Sequence, residues 1–170
     1  MMTSVVLLFG SNDREAGAII DRAVRIVADS LGRMVRLSAE YLSEPYGFTA
    51  ERGFVNRAAE IDTSLDAYEL LHRINLIEAQ LGRDRGQERE VQQAMGERYA
   101  SRPIDIDIIF YGDSTFNDQR LVIPYHYLYE REYALRPVAE IVPDRVHPAL
   151  ERTPAEALDL LITGADETDL

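Results

Sequence analysis

The sequence predicts an α+β fold, in which helices pack on an antiparallel sheet. Apolar runs of strand length occur at four places along the chain: residues 4–9, 34–42, 54–62 and 102–112. Segments with helical periodicity follow the first and the third of these runs, which gives the order β-α-β-β-α-β. This order favours a layer of helices on a sheet, and a ferredoxin-like plait fits it best.

The first strand is the apolar run SVVLLF at residues 4–9, which ends at the turn residues Gly10-Ser11-Asn12. Asn12 and Glu15 have the spacing of a capping box, which predicts the start of a helix. Apolar residues then repeat at helical intervals until Gly32, a residue type that commonly ends helices.

The middle of the chain predicts two more strands and a second helix. Residues 34–42 alternate in part and run into a turn or loop at 43–47, and residues 54–62 form the third strand. Ser64 is the expected cap of the second helix, which ends at Gly82. The apolar face of this helix is expected to consist of Leu70, Leu71, Ile74, Ile77 and Leu81.

Residues 83–102 are polar, mixed in charge and without periodicity, which predicts a long loop. Loops of this length in compact domains are usually functional or disordered. After the strand at 102–112, three short elements complete the prediction: a strand at 121–124, a helix at 133–143 broken by Pro137, and a helix at 153–164 capped by Thr153. The acidic residues 164–170 are expected to fray.

Composition limits the classes of function. The chain of 170 residues fits a single domain spanning residues 1–170, and its net charge of −12 argues against a nucleic-acid or anionic-membrane binder. The absence of cysteine excludes disulfides and thiolate metal sites. The N-terminus lacks the features of a signal peptide, and no run approaches the roughly 20 apolar residues of a membrane span. We therefore expect a soluble cytoplasmic protein; the oligomeric state is open, with a monomer favoured.

Two aspartates interrupt the strand RPIDIDIIFYG at residues 102–112. Alternate strand residues share a face, so Asp105 and Asp107 point the same way with their α-carbons ~6.6 Å apart, while Ile104, Ile106 and Ile108 face the core. Two carboxylates this close repel each other unless they share a proton or bind cations. The pair therefore suggests a Mg²⁺ site completed by water and phosphate oxygens. The alternative is a solvated strand face with salt bridges to nearby arginines.

Arginines are concentrated in the predicted loop that leads into this strand: Arg83, Arg85, Arg89, Arg98 and Arg102. Guanidinium groups bind phosphate oxygens in a bidentate way and stay charged. Carboxylates for Mg²⁺ beside such a loop are the parts that phosphoryl transfer needs. Because acidic residues are interleaved with the arginines, a self-neutralised solvent loop remains the alternative.

Two other enzyme classes use an Asp-x-Asp pair. Metal-dependent glycosyltransferases normally need a larger nucleotide-binding domain than 170 residues provide, and the chain has no Gly-rich turn after a strand for it. Haloacid-dehalogenase-type phosphatases place Thr two residues after the second Asp, where this chain has Ile109. In those enzymes the Asp pair follows the apolar strand, whereas here the apolar run continues beyond the pair. Neither pattern fits.

From Val5 to Pro148 the chain resembles the 6-hydroxymethyl-7,8-dihydropterin pyrophosphokinase family. The segments that carry the resemblance occur in the family's order: GSN (10–12), EYLSEPYG (40–47), FVN (54–56), LIEAQLGRDR (76–85), RPIDIDIIFYG (102–112), LVIPY (121–125), ER (130–131) and RPVAEIVPD (136–144). Single segments are unspecific, whereas the ordered series is specific. The resemblance implies transfer of pyrophosphate from ATP to a pterin hydroxymethyl group, with release of AMP, in folate synthesis.

The resemblance also implies residue roles. Asp105 and Asp107 would hold two Mg²⁺ ions on ATP, and Arg83 and Arg102 would move in with the loop and stabilise the transferring group. ATP would be contacted by Glu78, Arg85, Tyr99, Ile108, Arg120, Tyr125, His126 and Arg131. The pterin would be bound by Ser43, Glu44, Pro45, Tyr46, Phe54, Asn56 and Tyr133.

The pterin assignments have a physical basis, because a flat heterocycle favours two aromatic faces and an amide that both donates and accepts. Core packing of Phe54 and Tyr133 is the alternative without the family context. Two positions depart from the family pattern: Tyr125 stands where His is usual, and Tyr99 where Trp is common. A ferredoxin-like binding or regulatory module that lost turnover therefore remains the second hypothesis.

Overall fold

The computed structural model describes residues 1–43, 53–95 and 103–164. Its strands are β1 (Thr3–Ser11), β2 (Arg33–Leu37), β3 (Tyr41–Ser43), β4 (Phe54–Thr63), β5 (Asp105–Tyr111), β6 (Phe116–Asn117) and β7 (Val122–Ile123). Its helices are α1 (Ala16–Ser30), α2 (Ala67–Gln80), α3 (Arg85–Met95), α4 (Glu132–Ile141) and α5 (Pro154–Thr163). The predicted mixture of helices with an antiparallel sheet is confirmed. Across the described ranges, no helix is both long enough and apolar enough to cross a membrane.

The main sheet has five strands in the order β2-β4-β1-β5, with β3 also paired to β4. Each of these pairings is antiparallel. A separate two-stranded sheet joins β6 to β7. The single strand predicted at 34–42 is therefore two strands, β2 and β3, which pair with different parts of β4.

Apolar residues are buried on both faces of the main sheet, which explains why β1 is apolar almost without interruption. Val5, Leu7 and Phe9 pack with the buried sides of α1 and α2. Val6 and Leu8 face the other way and pack in a second cluster with residues of α4 and α5. A central strand covered on both faces loses the alternation of polar and apolar residues that a half-exposed strand shows.

Two of the predicted helix starts are wrong. Helix α1 begins at Ala16 without a side-chain cap, so Asn12 and Glu15 do not form a capping box. Helix α2 is capped by Asp66, whose side chain accepts a hydrogen bond from the Glu69 amide, rather than by Ser64. The cap predicted at Thr153 for α5 is confirmed, and the structure adds a full capping box, because both reciprocal bonds with Glu156 are present.

Two further expectations are corrected. The segment predicted as a loop at 83–102 contains α3, whose first turn is secured by the Asp84 side chain, which accepts a bond from the Gln87 amide at 3.0 Å. Helix α4 runs through Pro137 instead of breaking there. A proline inside a helix removes one backbone donor, and the burial of the α4 face against the sheet offsets that loss.

Candidate active site

The pairing register brings the acidic pair and Asn56 together on the α4 side of the main sheet. Gly10 of β1 pairs with Asn56 of β4 on one side and with Asp105 of β5 on the other. Leu8, two residues before Gly10, pairs with Asp107. Because paired residues in adjacent strands point to the same face, these side chains form two neighbouring rows.

A cavity of about 250 Å³ lies over these rows. The predicted site residues that line it are Ser43, Phe54, Asn56, Asp105, Asp107, Tyr125, Arg131 and Tyr133. Leu8 and Gly10 complete the lining and were not predicted as site residues. Candidates from separated parts of the chain therefore converge on one concave site.

Gly10 lies in the floor of the cavity, and a larger residue at this position would collide with Asn56. A Cβ added at Gly10 would lie 2.9 Å from Oδ1 of Asn56, closer than real Cβ atoms approach other atoms. Asn56 is only 3% exposed, and its Nδ2 lies 3.5 Å from Oγ of Ser43, at the limit of a hydrogen bond. The motif GSN at 10–12 includes this glycine, but its neighbour Asn56 could be identified only from the register of the strands.

Arg83 is the centre of a buried ion-pair cluster beside the cavity. Its side chain is 4% exposed, and its Nη1 donates to Oδ1 of Asp105 at 2.9 Å and to Oε2 of Glu78 at 2.8 Å. Its Nε donates to Oε1 of Glu88, on α3, at 2.9 Å. Burial alone lowers the pKa of Arg83, but the hydrogen bond to Glu88 and the charges of Asp105 and Glu78 raise it overall. Arg83 is thus a fixed cation in the described structure.

Glu78 is buried and accepts hydrogen bonds from several donors. It accepts from the Ile106 amide at 2.9 Å and from Nη2 of Arg85 at 2.8 Å, in addition to its bond with Arg83. Burial raises the pKa of Glu78, while the Ile106 amide and the Arg83 charge oppose that shift. Glu78, Arg83 and Arg85 line a second concave surface at the end of α2, outside the cavity.

The α4 side of the cavity is formed by Tyr125, Arg131 and Tyr133. The hydroxyl oxygens of Tyr125 and Tyr133 lie 3.4 Å apart, and Nη1 of Arg131 lies 3.3 Å from Oη of Tyr133. Burial, the bond to Tyr133 and the nearby charge of Asp107 raise the pKa of Tyr125. The Tyr125 phenol therefore stays protonated at neutral pH.

Besides Glu78 and Arg85, three more predicted nucleotide contacts lie outside the cavity. Ile108 is buried in the cluster that packs against α1 and α2, on the opposite face of the sheet. Arg120 is exposed, with its guanidinium carbon 5.3 Å from the centre of the Tyr68 ring. His126 is exposed, with its ring centre 4.7 Å from that of Tyr127. The other candidates lie outside the described residues: Glu44, Pro45, Tyr46, Tyr99 and Arg102.

Comparison with known proteins identifies the family to which the chain is similar. Residues 6–143 match the family model described as 7,8-dihydro-6-hydroxymethylpterin-pyrophosphokinase. The 2-amino-4-hydroxy-6-hydroxymethyldihydropteridine pyrophosphokinase of Methylorubrum extorquens is 40% identical over 146 residues, which cover 85% of this chain and 86% of that protein. The folate synthesis bifunctional protein of Arabidopsis thaliana is 32% identical over 81% of this chain, but the match covers only 27% of that longer protein.

Solved structures share the fold at lower sequence identity. A crystal structure of an HPPK-DHPS protein in complex with substrates has a TM-score of 0.73 and 16% identity, covering 96% of this chain and 44% of that one. The HPPK-DHPS of Plasmodium falciparum with pterin and p-hydroxybenzoate has a TM-score of 0.75 at 16% identity, covering all of this chain and 45% of that one. This chain thus spans less than half the length of these two proteins. Its sequence match over most of its length shows that the chain belongs to the 7,8-dihydro-6-hydroxymethylpterin-pyrophosphokinase family.

Proposed function

We propose that this protein transfers pyrophosphate from ATP to the hydroxymethyl group of 6-hydroxymethyl-7,8-dihydropterin and releases AMP, as a step of folate synthesis. Membership of the family supports the reaction. The observation that carries the proposal is the cavity, which combines two aromatic side chains and a buried amide with a pair of carboxylates. A flat heterocycle and a phosphate chain need these two kinds of surface next to each other.

The fold supports a finer assignment, a ferredoxin-like plait. The order β2-β4-β1-β5 with antiparallel neighbours is the order expected when two β-α-β units interleave. Helices α1 and α2 pack together on one face, as that arrangement requires. Helices α4 and α5 are additions on the other face, and Tyr133 in the first turn of α4 lines the cavity.

The pterin would bind between Phe54 and Tyr133, on opposite sides of the cavity. An aromatic face on each side of a flat ring contributes apolar contact and ring stacking. Asn56 would supply a donor and an acceptor to the amide edge of the ring, and Ser43 lies beside it. Asn56 is nearly inaccessible to solvent, so water could not replace a missing hydrogen bond to its amide. A ring whose edge fails to pair with Asn56 would therefore lose the full free energy of leaving a buried amide unpaired.

Asp105 and Asp107 are the residues that would hold two Mg²⁺ ions with ATP. Their donor chemistry fits, because Mg²⁺ is usually bound by one or two carboxylates and completes its shell with water and phosphate oxygens. The described residues contain no group of three or more acidic, imidazole or thiol side chains suited to a metal, so water and phosphate oxygens would have to supply the other ligands. When bound, the cations would neutralise charge on the phosphates and orient the β-phosphorus toward the pterin hydroxyl.

Arg83 would act next to that centre as a fixed positive charge. Its bond to Asp105 orients one carboxylate oxygen, and its other bonds to Glu78 and Glu88 keep it from turning away. Fixed dipoles and charges stabilise a developing negative charge without reorganising during the reaction. Arg102 is proposed as the second catalytic arginine. The proposed ATP contacts are Glu78, Arg85, Tyr99, Ile108, Arg120, His126 and Arg131; Tyr125, the eighth residue that the resemblance implies, is given a different role below.

The experiment is an assay for AMP with the protein, ATP, Mg²⁺ and the hydroxymethyl dihydropterin. We expect AMP release that EDTA abolishes and excess Mg²⁺ restores. Asp107→Asn should lower kcat/KM by at least about a hundredfold, because it removes one carboxylate charge at the proposed metal site. The matched control is Asp29→Asn on the exposed side of α1, which should leave the rate unchanged.

Two outcomes would contradict the proposal. Nucleotide binding without AMP release would favour the second hypothesis, a binding module without turnover. An Asp107→Asn protein that loses stability and activity in equal proportion would place that carboxylate in a structural role instead. Circular dichroism and urea unfolding of both variants provide the stability comparison.

A further inference from the structure

The first turn of α4 carries Tyr133 but has no side-chain cap. Its N-cap residue is Arg131, which has extended backbone angles and makes no capping hydrogen bond with its side chain. Helix ends leave backbone donors without intrahelical partners and are the least stable part of a helix. The position of the Tyr133 ring in the cavity therefore depends on side-chain contacts beyond the helix.

Those contacts join four residues in a chain: Tyr125, Tyr133, Arg131 and Tyr127. The Tyr133 hydroxyl faces the Tyr125 hydroxyl at 3.4 Å and Nη1 of Arg131 at 3.3 Å. The guanidinium carbon of Arg131 lies 4.3 Å from the centre of the Tyr127 ring, within the range of a cation–π contact. Tyr133 is thus held by its backbone in α4 and by its hydroxyl at the opposite end of the ring.

Tyr125 connects this chain to the strand that carries the carboxylates. Its backbone amide donates to the carbonyl oxygen of Ile109, in β5, at 3.0 Å. Asp107 lies two residues before Ile109 on the same strand, and its charge is among the causes that raise the pKa of Tyr125 after burial and the bond to Tyr133. The Tyr125 phenol is consequently a neutral hydrogen-bonding group over the working range of pH.

We infer that Tyr125 is a positioning residue, which fixes the Tyr133 ring relative to β5 and thereby sets the affinity of the cavity for its flat ligand. This inference rests on the proposed function. The family resemblance would make Tyr125 an ATP contact, whereas the geometry couples its hydroxyl to the aromatic wall. A ring held at both ends loses less freedom when a ligand stacks on it, so its ligand binds more tightly.

The test is a double-mutant cycle on the two hydroxyls. Tyr125→Phe and Tyr133→Phe should each raise the KM for the pterin about three- to tenfold, the effect expected for one neutral hydrogen bond. The kcat and the KM for ATP should stay within about twofold of wild type. The double variant should be no worse than Tyr133→Phe alone, because Tyr133→Phe already removes the contact between the two hydroxyls, together with the bond from Arg131.

The matched control is Tyr129→Phe, which also deletes one phenol hydroxyl in the segment before α4. The Tyr129 hydroxyl donates to the carbonyl oxygen of Arg152 at 2.6 Å, outside the residues that line the cavity. This variant should leave both KM values unchanged. A rise in pterin KM equal to that of Tyr125→Phe would overturn the inference, because it would attribute the effect to a general loosening of the segment.

Two further results would overturn it. Independent, additive effects of the two substitutions on pterin KM would show that the hydroxyls do not act through each other. A rise in the KM for ATP after Tyr125→Phe, with pterin KM unchanged, would assign Tyr125 to the nucleotide. If the wild type released no AMP, the proposed function would fail, and the coupling of the two hydroxyls would be tested by the same cycle in urea unfolding without substrates. Non-additive losses of unfolding free energy would support the coupling, and additive losses would overturn it.

Discussion

Replacing Arg83 by methionine tests the buried ion-pair cluster directly. The side chain is 4% exposed, and its removal leaves Glu78, which is 2% exposed, and Asp105 without a guanidinium they share. Removing one partner of a buried pair costs about 3–5 kcal/mol. Glu78 keeps the Ile106 amide and Arg85, so we expect the lower end, about 3 kcal/mol. For a chain of this size that lowers Tm by roughly 6–12 °C.

The penalty should depend on pH. Burial already raises the pKa of Glu78, and loss of the Arg83 charge, which opposes that shift, raises it further. Unfolded glutamate titrates near a pKa of about 4.3, so between that pH and the raised pKa the folded variant holds a proton that the unfolded chain has lost. The destabilisation is therefore full at neutral pH and shrinks as pH falls through the raised pKa.

Urea unfolding of wild type and Arg83→Met at several pH values between 5 and 8 measures both effects. The control is Arg33→Met, which breaks a 2.7 Å ion pair with Asp62 whose arginine is 71% exposed. An exposed pair contributes less than about 1 kcal/mol, with weak dependence on pH in this range. A loss of unfolding free energy for Arg83→Met no larger than that of the control, or one that does not change with pH, would contradict the role assigned to the buried pair of Arg83 and Glu78.

Two other substitutions separate site packing from fold stability. Gly10→Ala would place a Cβ 2.9 Å from Oδ1 of Asn56; it should destabilise by about 1–3 kcal/mol and weaken pterin binding at least about tenfold in a titration calorimeter. The control Gly17→Ala, in α1, meets only ordinary contact; it should leave pterin binding unchanged and should not destabilise the fold, because alanine is the better helix former. Thr153→Ala removes the capping box of α5; it should cost about 1 kcal/mol in urea unfolding while kcat/KM stays unchanged.

The orientation of the acidic pair could be predicted from the sequence because it depends only on the two-residue repeat of a strand. Ile104, Ile106 and Ile108 are buried in the core, and Asp105 and Asp107 line the cavity on the other face. The contributions of Gly10 and Leu8 could not be predicted in the same way. They depend on which residues pair across β1, β4 and β5, and a register is set by contacts between distant parts of the chain.

Helix α3 was missed because it lacks the signal on which helix prediction depends. A surface helix is recognised by apolar residues that recur on one face over several turns, whereas residues 85–95 carry such spacing only at their end, in Val91, Ala94 and Met95. This helix is attached through charges instead: Glu88 pairs with Arg83, and Arg85 pairs with Glu78 of α2. Ion pairs between segments leave no periodic pattern in the sequence. The wrong caps have a different cause: Asp66, rather than Ser64, caps α2, and before α1 the Glu15 amide donates to Asp13 in a turn that leaves the helix without a side-chain cap.

The most direct test of the proposed site is a crystal structure with an ATP analogue, Mn²⁺ in place of Mg²⁺ and the pterin. Anomalous scattering would locate the cations independently of the model. The proposed site predicts metal peaks within bonding distance of Asp105 and Asp107. The phosphate chain should lie between the metal ions, and the pterin ring should lie between Phe54 and Tyr133. Bound nucleotide with no metal near either aspartate, and with Asp105 neutralised by Arg83 alone, would contradict it.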